Sequence, residues 1–573
     1  MGKMEPPKIV IIGLDSATWD LMGPWIAEGR LPNLAKLTSN GVSGELESAV
    51  PPLTPPAWTS FMTGKNPGKH GIFYFLEPQP GTYAMQYANA GSRRSKTVFR
   101  LLSEGGLTVS SVNIPFTYPP EQLNGFQISG MDAPSEQSAF VQPPELKAEL
   151  EEVVGKIRFD ITHLGFMSTN ERREQVLAEM EQVDQQWAKI GLHLLDTHPT
   201  DLMMFTFMSI DTVQHHFWQY MDESHFMYDA EGATRFRDAV LRVYQRLDTI
   251  LGKFLERLPE DTTVMVVSDH GGGPVSDRAV YLNRFLARLG LLTYQTKNES
   301  AFGRAKRQIV RAVYKILYGT LGPKQKKFLA GLLPGLRERF EGAYTSFANI
   351  DWTATKAYCS EILASPPSIW INRKGEKPSG IVGDDEYESL LTYITQKLAE
   401  LKDPRDGEAI ISRVYRRDEL FHGPFAKEAP DLILDWWSAN SFSAKPSFPE
   451  ENDQPIVQIL PRGPVKGPEW GGTHRKAGIF IAKGKALNQG TKIEGARLID
   501  IAPTLLHLLG RPVPDDMDGR VLTEAFNPQF IEQHATQYGA AAGVASGETE
   551  NASYSKDEAA QIEARLKALG YID

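Results

Sequence analysis

KIVIIGLD (residues 8–15) is the stretch from which the fold can be read. Its unbroken apolar run, rich in β-branched side chains, predicts a strand that is buried on both faces, and the run leads directly into Asp15. Similar runs recur along the chain at LTVSSVNI (107–114), DLMMFTFMSI (201–210), DTTVMVVS (261–268), PDLILDW (430–436) and AGIFIA (477–482).

Helical patterns lie between these runs, for example in ERREQVLAEMEQVDQQWAKIGLHLL (171–195). Buried strands that alternate with helices are typical of a mostly parallel sheet with helices on both faces. The sequence therefore predicts an α/β protein with a three-layer α/β/α sandwich and helical insertions.

Composition excludes several classes of protein. The 573 residues carry a formal net charge of -10, which gives no reason to expect a nucleic-acid-binding module. A single cysteine, Cys359, allows no disulfide framework and no cysteine metal site. We see no signal peptide and no apolar stretch of about 18 residues, so we expect no transmembrane segment and a cytoplasmic location.

Two segments differ from the rest of the chain. Residues 301–342 are rich in Lys and Arg, with apolar residues at helical spacing. This pattern favours a helical insertion with a solvated basic face, but it also fits a surface that contacts anionic lipid or steers a phosphorylated substrate. Near the end, 539–553 is typical of a flexible linker, and 555–573 predicts a terminal helix that docks on the body.

Acidic residues and histidines cluster where predicted strands end. Asp15, Asp211 and Asp269 each follow a strand, and the carboxyl ends of parallel strands meet at one edge of a sheet. Histidines accompany these acids at 215, 270 and 474. Each residue alone is more often a cap or a structural residue, but carboxylate with imidazole is the ligand mix that suits zinc, and manganese or iron less well.

PPLTPPAWTSFMTG (51–64) places Thr54 between prolines. A residue before proline is pushed toward extended geometry, so we expect Thr54 to be the N-cap of a helix with Pro55 as its first residue. By itself this is a plain capping threonine. A nearby metal ion would instead lower the pKa of the hydroxyl and make it a nucleophile.

Six motifs in this order resemble the alkaline phosphatase superfamily, in particular its type I phosphodiesterase/nucleotide pyrophosphatase branch. They are GLD (13–15), TPPAWTSFMTG (54–64), PGKHGI (67–72), DTVQH (211–215), SDHG (268–271) and GGTH (471–474), and DIAPTLLHLLGRPVPDDMDGRVL (500–522) is also typical. The resemblance implies an alkaline-phosphatase-like catalytic core in 1–290 and 346–525. Residues 291–345 would then be the basic insertion or cap, and 526–573 the linker and docking helix.

The resemblance also implies a two-metal site and a reaction. One divalent ion would be held by Asp211, His215 and His474. The second would be held by Asp15, Asp269 and His270, with Thr54 as a further ligand. The ions would be zinc, with manganese as an alternative, and Thr54 would attack phosphorus to give a phosphothreonine intermediate.

One position departs from the family pattern. The nucleotide pyrophosphatases carry an asparagine where this chain has Phe75, which puts nucleotide substrates in doubt. Tyr74, Phe75 and the basic residues Arg93, Arg94 and Lys96 are the candidate substrate-binding residues. The substrate class expected is a phosphorylated small molecule or a lipid-like ester.

Three functions follow from these observations. The first is a metal-dependent hydrolase that cleaves phosphodiester or related phosphate ester bonds. The second is a phosphomutase or phosphotransferase of the same superfamily, which the threonine disfavours because related mutases use serine. The third is a non-catalytic binding protein on this scaffold, which the complete ligand set disfavours. The sequence does not indicate an oligomeric state.

Overall fold

The computed structural model describes residues 6–79, 81–159, 161, 164, 167, 169–295, 347, 349–360, 367–438, 441–465, 470–543 and 553–569. Its largest feature is a nine-stranded sheet. Across this sheet the strands lie in the order Thr491–Arg497, Val42–Glu47, Ala477–Lys483, Thr263–Val267, Ile9–Leu14, Leu202–Phe207, Val109–Ile114, Gly125–Ser129 and Val141–Gln142.

The sheet is mostly parallel, as the sequence predicts. Only Val141–Gln142 and Ala477–Lys483 run against the other seven strands. The strand Ile9–Leu14 lies near the middle, between Thr263–Val267 and Leu202–Phe207, and is buried along its whole length. A strand in this position must be apolar on both faces, which explains the continuous apolar run in its sequence.

Both faces of the sheet carry helices, which makes three layers. Alternate residues of Ile9–Leu14 enter two separate hydrophobic cores because successive side chains of a strand point to opposite faces. One core includes the helices Pro32–Ser39, Asn170–Thr197 and Ala239–Leu255. The other includes Thr54–Thr63, Val98–Glu104 and Ile501–Leu508. This is the alkaline-phosphatase-like architecture.

The remaining helices complete the layers and connections. The other α-helices are Trp19–Ala27, Pro67–His70, Leu146–Val154, Ser209–Met221, Ala230–Phe236, Leu282–Arg288, Asp384–Ala399, Arg417–Leu420, Pro528–Gln533 and Lys556–Leu569. Short 3-10 helices lie at Ala90–Ser92, Ala426–Glu428, Pro449–Glu451, Leu498–Asp500 and Thr523–Ala525. No helix in the described part of the chain is both long and apolar enough to cross a membrane.

A second sheet lies outside the central one. It is antiparallel and has the strand order Ala357–Cys359, Ser368–Ile371, Leu432–Leu434 and Val414–Arg416. The strand predicted at 430–436 forms here and not in the central parallel sheet. A run of apolar residues indicates that a strand is buried, but it does not indicate which strands pair with it. This sheet packs with Leu282–Arg288 and Asp384–Ala399 around a hydrophobic core of its own.

Short strands complete the sheet structure. Gly271–Pro274 pairs antiparallel with Gly472–Arg475. Arg278–Val280 lies between Ser443–Ala444 and Val457–Ile459. The two remaining pairs are Leu76–Pro78 with Met85–Tyr87, and Val513–Pro514 with Tyr538–Gly539.

The C-terminal helix Lys556–Leu569 packs against the body of the protein. Its residues Ile562 and Leu566 enter a small apolar cluster with Phe75 and Phe116. The guanidinium of Arg565 donates to the carbonyl oxygens of Met131 (2.7 Å), Ala133 and Pro134 (3.2 Å). The basic segment predicted at 301–342 lies outside the described residues.

Candidate active site

Three acidic residues lie together where neighbouring strands of the central sheet end. The register pairs Leu14 with Phe207 and Gly13 with Val267, so the three strands end at nearly the same level. Asp15, Asp211 and Asp269 follow these ends and are buried. Ligands of open α/β sheets bind outside the carboxyl ends of the strands, so this edge is where a site is expected.

Thr54 is the first residue of the helix Thr54–Thr63, not its N-cap. The cap is Leu53, whose backbone is extended and whose carbonyl oxygen accepts from Ala57 N at 2.9 Å. The predicted boundary was wrong by one residue because Pro55 and Pro56 have no N–H, and Ala57 supplies the first amide that can close a turn. No amide therefore remains for a threonine cap, and Thr54 Oγ1 is buried without a hydrogen-bond partner among the described residues.

Contacts on either side of Thr54 connect this helix to the strand ends. Trp58, one turn after Thr54 on the same face of the helix, donates its indole N–H to Asp15 Oδ2 at 2.8 Å. Just before the helix, Pro52 O lies 2.9 Å from His474 Nδ1. Residues before and after Thr54 therefore contact His474 and Asp15, one in each group of acids and histidines at the strand ends.

The helix approaches the sheet closely because Gly13 has no side chain. A Cβ at this position would lie 2.9 Å from Trp58 Cη2 and 2.9 Å from Thr206 Oγ1. Contacts this short are not tolerated, so any larger residue would displace Trp58. Gly13 thus sets how near Trp58 can come to Asp15.

The first group of candidate metal ligands consists of Asp15, Asp269 and His270. His270 Nε2 lies 3.3 Å from Asp269 Oδ2 and 3.8 Å from Asp15 Oδ1. Ser16 N donates to Asp269 Oδ1 at 3.3 Å from a left-handed backbone conformation with φ of 65°. Such a conformation is unfavourable for serine and is found mainly where function requires it.

The second group consists of Asp211, His270 and His474. Asp211 Oδ1 lies 3.1 Å from His215 Nε2 and 3.4 Å from His474 Nε2, and these two nitrogens are 3.0 Å apart. The helix Ser209–Met221 brings Asp211 and His215 together at a spacing of one turn. His270 belongs to both groups, so the two groups are adjacent and have one residue in common.

Backbone carbonyls fix the orientation of all three imidazoles. His215 Nδ1 lies 2.9 Å from Gly472 O, and His270 Nδ1 lies 3.1 Å from Gly271 O. His474 Nδ1 makes the same kind of contact with Pro52 O. Because a carbonyl oxygen can only accept, Nδ1 carries the proton in all three neutral imidazoles, and Nε2 presents a lone pair to the carboxylates. Lone pairs that face one another require a cation between them, and this orientation is the one that metal-binding histidines use.

The electrostatics of the cluster suit a cation. Burial, followed by the charges of Asp269 and Asp211, raises the pKa of Asp15 well above its usual range. Burial and the charge of Asp211 do the same to the pKa of Asp269. Burial and His474 lower the pKa of His270 well below its usual range. Divalent cations would stabilise ionised carboxylates and neutral imidazoles together, so these residues fit a metal site.

Asp211 behaves differently from the other two acids. Burial alone would raise its pKa, but in place of a metal ion, protons taken up by the neighbouring imidazoles of His215 and His474 outweigh burial and hold the pKa well below the usual range. Asp211 is therefore the carboxylate of the cluster that stays ionised most readily.

The candidate substrate-binding residues lie in other surroundings. Arg93 Nη2 is 3.2 Å from Glu121 Oε1, and Lys96 Nζ is 2.9 Å from Glu104 Oε2. Arg94 donates to Ser92 O and lies over the ring of Phe425. Tyr74 is buried in the core of the second sheet, and Phe75 is buried in the cluster that contacts the C-terminal helix.

Several residues of this site were not identified from the sequence. Trp58 orients Asp15, and Trp470 stacks on His215 with ring centroids 3.6 Å apart. Trp436 lies 6.2 Å from His474 by the same measure. The spacing of four between Thr54 and Trp58 could have suggested a role for Trp58, but neither remaining tryptophan has a sequence signal.

Comparisons with known proteins bear on the family and on the fold. A family model described as type I phosphodiesterase / nucleotide pyrophosphatase matches residues 9–447. Phosphonoacetate hydrolase from Sinorhizobium meliloti 1021 superposes with a TM-score of 0.51 at 14% identity, covering 87% of this chain and 94% of that chain. For human ectonucleotide pyrophosphatase / phosphodiesterase 5 the TM-score is 0.46 at 12% identity, with 91% and 100% covered.

One curated protein matches over a short segment. It is the 2,3-bisphosphoglycerate-independent phosphoglycerate mutase of Cereibacter sphaeroides, which is 41% identical over 63 residues. That segment covers 10% of this chain and 12% of the mutase. The family model, by contrast, spans both the Thr54 helix and most of the candidate ligands. The chain belongs to the type I phosphodiesterase/nucleotide pyrophosphatase family.

Proposed function

We propose that this protein is a metal-dependent phosphohydrolase that cleaves phosphodiester or related phosphate ester bonds. The observation that carries the proposal is the buried Thr54 hydroxyl, which has no partner among the described residues and begins a helix whose adjoining residues contact the candidate metal ligands Asp15 and His474. A buried polar atom without a partner is costly and calls for a functional reason. A nucleophile that awaits its substrate is such a reason.

The residues fit two divalent ions. Asp211, His215 and His474 would hold one, and Asp15, Asp269 and His270 would hold the other together with Thr54. Imidazole and carboxylate ligands suit zinc, with manganese as an alternative. Bound ions at such a site lower the pKa of the nucleophile and neutralise charge on the phosphoryl group.

The chain's own residues orient the reaction. Thr54 Oγ1 gives up its proton and forms a bond to phosphorus while the bond to the leaving oxygen breaks; the leaving oxygen takes up a proton from solvent and departs as an alcohol, which gives a phosphothreonine intermediate. Water then cleaves that intermediate, releases the phosphorylated product and restores the hydroxyl. Trp58 and Ser16 hold Asp15 and Asp269, so the ligands are fixed before substrate arrives.

The substrate class is a phosphorylated small molecule or a lipid-like phosphate ester. The basic residues Arg93 and Lys96 pair with glutamates, so a phosphate bound by them would have to displace those partners. They therefore support substrate binding less than the sequence suggests.

A phosphomutase or phosphotransferase is the second candidate. The short match to a phosphoglycerate mutase favours it, and such an enzyme would begin with the same transfer to Thr54. The difference lies in the acceptor of the second transfer, which would be a substrate hydroxyl instead of water.

The test compares hydrolysis of bis-p-nitrophenyl phosphate and p-nitrophenyl phosphate, with added Zn²⁺ or Mn²⁺, by the wild type and by Thr54→Ala. We expect faster cleavage of the diester and a loss of roughly 10³-fold or more in Thr54→Ala. Thr63→Ala is the matched control, because Thr63 is on the same helix but its hydroxyl is bonded to Thr59 O. Turnover that survives Thr54→Ala would refute the nucleophile, and no turnover by a metal-loaded wild type would favour the mutase.

A further inference from the structure

Trp436 is the feature that the proposed function does not yet use. It follows the strand Leu432–Leu434 of the second sheet, and its side chain lies beside His474, with ring centroids 6.2 Å apart. Trp436 is buried, with only 8% of its surface exposed. The second sheet, which contributes none of the candidate metal ligands, therefore places one side chain next to them.

The indole N–H of Trp436 has no hydrogen-bond partner within the described part of the chain. Two other indoles find an acceptor, since Trp58 donates to Asp15 and Trp19 donates to Gly44 O, whereas Trp218 Nε1 is also without a partner within the described residues. An indole nitrogen can only donate, and a buried donor left without an acceptor destabilises the fold. An acceptor supplied by a ligand would remove that cost.

Most donors expected from the helix start and from the predicted basic residues are missing or already engaged. Helix starts usually bind phosphate through free amides, but Pro55 and Pro56 have none, and Ala57 N is bonded to Leu53 O. Of the candidate cations, Arg93 and Lys96 are engaged by Glu121 and Glu104. A neutral indole near His474 can therefore supply a donor that Pro55, Pro56, Arg93 and Lys96 do not.

We infer that Trp436 is a substrate-binding residue whose indole N–H donates to a non-bridging phosphoryl oxygen of the substrate. This inference rests on the proposed function. It assigns to the second sheet a direct role in recognising the phosphoryl group, in addition to its packing against the catalytic core.

The chain supplies a matched control in the next residue. Trp437 is equally buried and contacts the Trp436 ring edge to face, with centroids 5.9 Å apart. Its ring stacks on Tyr415. Replacing either tryptophan by phenylalanine removes an indole from the same core, but only Trp436→Phe removes the unpartnered N–H of the ring that lies near His474.

The experiment measures hydrolysis of bis-p-nitrophenyl phosphate and the affinity of the metal-loaded protein for inorganic phosphate by calorimetry. We expect Trp436→Phe to lower kcat/KM roughly 10-fold or more and to weaken phosphate binding, as loss of a donor to a phosphoryl oxygen should. Trp437→Phe should stay within about twofold of the wild type. Trp436→His, which keeps a ring N–H, should recover part of the loss.

Several outcomes would overturn the inference. A folded Trp436→Phe protein that binds phosphate as tightly as the wild type would contradict it. Equal losses of activity and phosphate affinity in Trp436→Phe and Trp437→Phe would also contradict it, because they would indicate an effect of packing alone. If Trp436→Phe does not fold, the indole N–H resonances of the wild type provide the readout. The chain has 10 tryptophans, and saturating phosphate that shifts none of their indole resonances would refute the contact.

Failure of the proposed function has a different signature. A wild type that binds phosphate but hydrolyses neither ester would argue against the hydrolase. The comparison of phosphate affinities between Trp436→Phe and Trp437→Phe would still test the role of Trp436.

Discussion

Gly13→Ala should disturb catalysis without touching a ligand or the nucleophile. The added Cβ would lie 2.9 Å from Trp58 Cη2 and 2.9 Å from Thr206 Oγ1, whereas an ordinary contact needs about 3.5 Å or more. Gly13 lies on a central strand between two neighbours, so the backbone has little freedom to shift. We expect the ring of Trp58 to move instead.

The size of the effect follows from that movement. Overpacking a core in this way costs about 1–3 kcal/mol of unfolding free energy. Trp58 carries the donor to Asp15 and lies on the same helix face as Thr54, so a shift approaching 1 Å would misplace both. Misplacement of that order lowers a reaction rate roughly 10²-fold.

The assay is kcat on bis-p-nitrophenyl phosphate together with thermal unfolding of the metal-loaded protein. Gly23→Ala is the control, because a Cβ at Gly23 would meet nothing within 4 Å and the helix Trp19–Ala27 should gain stability. Wild-type kcat in Gly13→Ala, with the expected loss of stability, would refute the argument that Trp58 sets the position of Asp15 and Thr54.

Three further predictions follow from the structure. Chelation of divalent ions should abolish hydrolysis and lower the melting temperature, because Asp15 and Asp269 would then face each other in a buried site without a cation. Added Zn²⁺ should restore both the activity and the melting temperature. A melting temperature that chelation leaves unchanged would argue against metal ligation. Burial raises the pKa of Asp132 to about 6, so the folded state binds this proton more tightly than the unfolded chain. The contribution of Asp132 to the free energy of unfolding should therefore fall by up to about 3 kcal/mol as the pH rises from about 4 to 6. Denaturant unfolding of Asp132→Asn should lack this pH dependence, which the wild type should show. Arg565→Ala should release the C-terminal helix, lower the free energy of unfolding by about 2 kcal/mol or more, and speed proteolysis of that helix. Lys567→Ala is the control: it removes only a surface ion pair with Glu563 and should leave the rate of proteolysis unchanged.

Much of the site was predictable because its parts are local. A buried strand that runs into an acid is visible within eight residues, as at 8–15. Parallel strands place their carboxyl ends at one edge, so three such strands predicted that Asp15, Asp211 and Asp269 would lie near one another. The spacing of Asp211 and His215 is likewise a local helical relation.

The incorrect prediction and the missed contacts have different causes: a local competition for one amide, and partners distant in the chain. Thr54 was predicted as a cap from the preference of residues before proline. In the structure Ala57 N donates to Leu53 O and not to the Thr54 hydroxyl, so Leu53 is the N-cap. The contact of Arg93 with substrate stays a prediction, and its ion pair with Glu121 could be identified only from the folded chain.

The class of fold and the chemical identity of the candidate ligands can be read from the sequence, because hydrophobic periodicity and side-chain type are properties of short segments. How those segments combine became clear from the folded chain. It placed the strand at 430–436 in a second sheet, it set Trp58 against Asp15 across the space left by Gly13, and it brought Trp436 beside His474. Each of these contacts joins residues far apart in the chain, and their energies arise from packing and desolvation that no local pattern encodes.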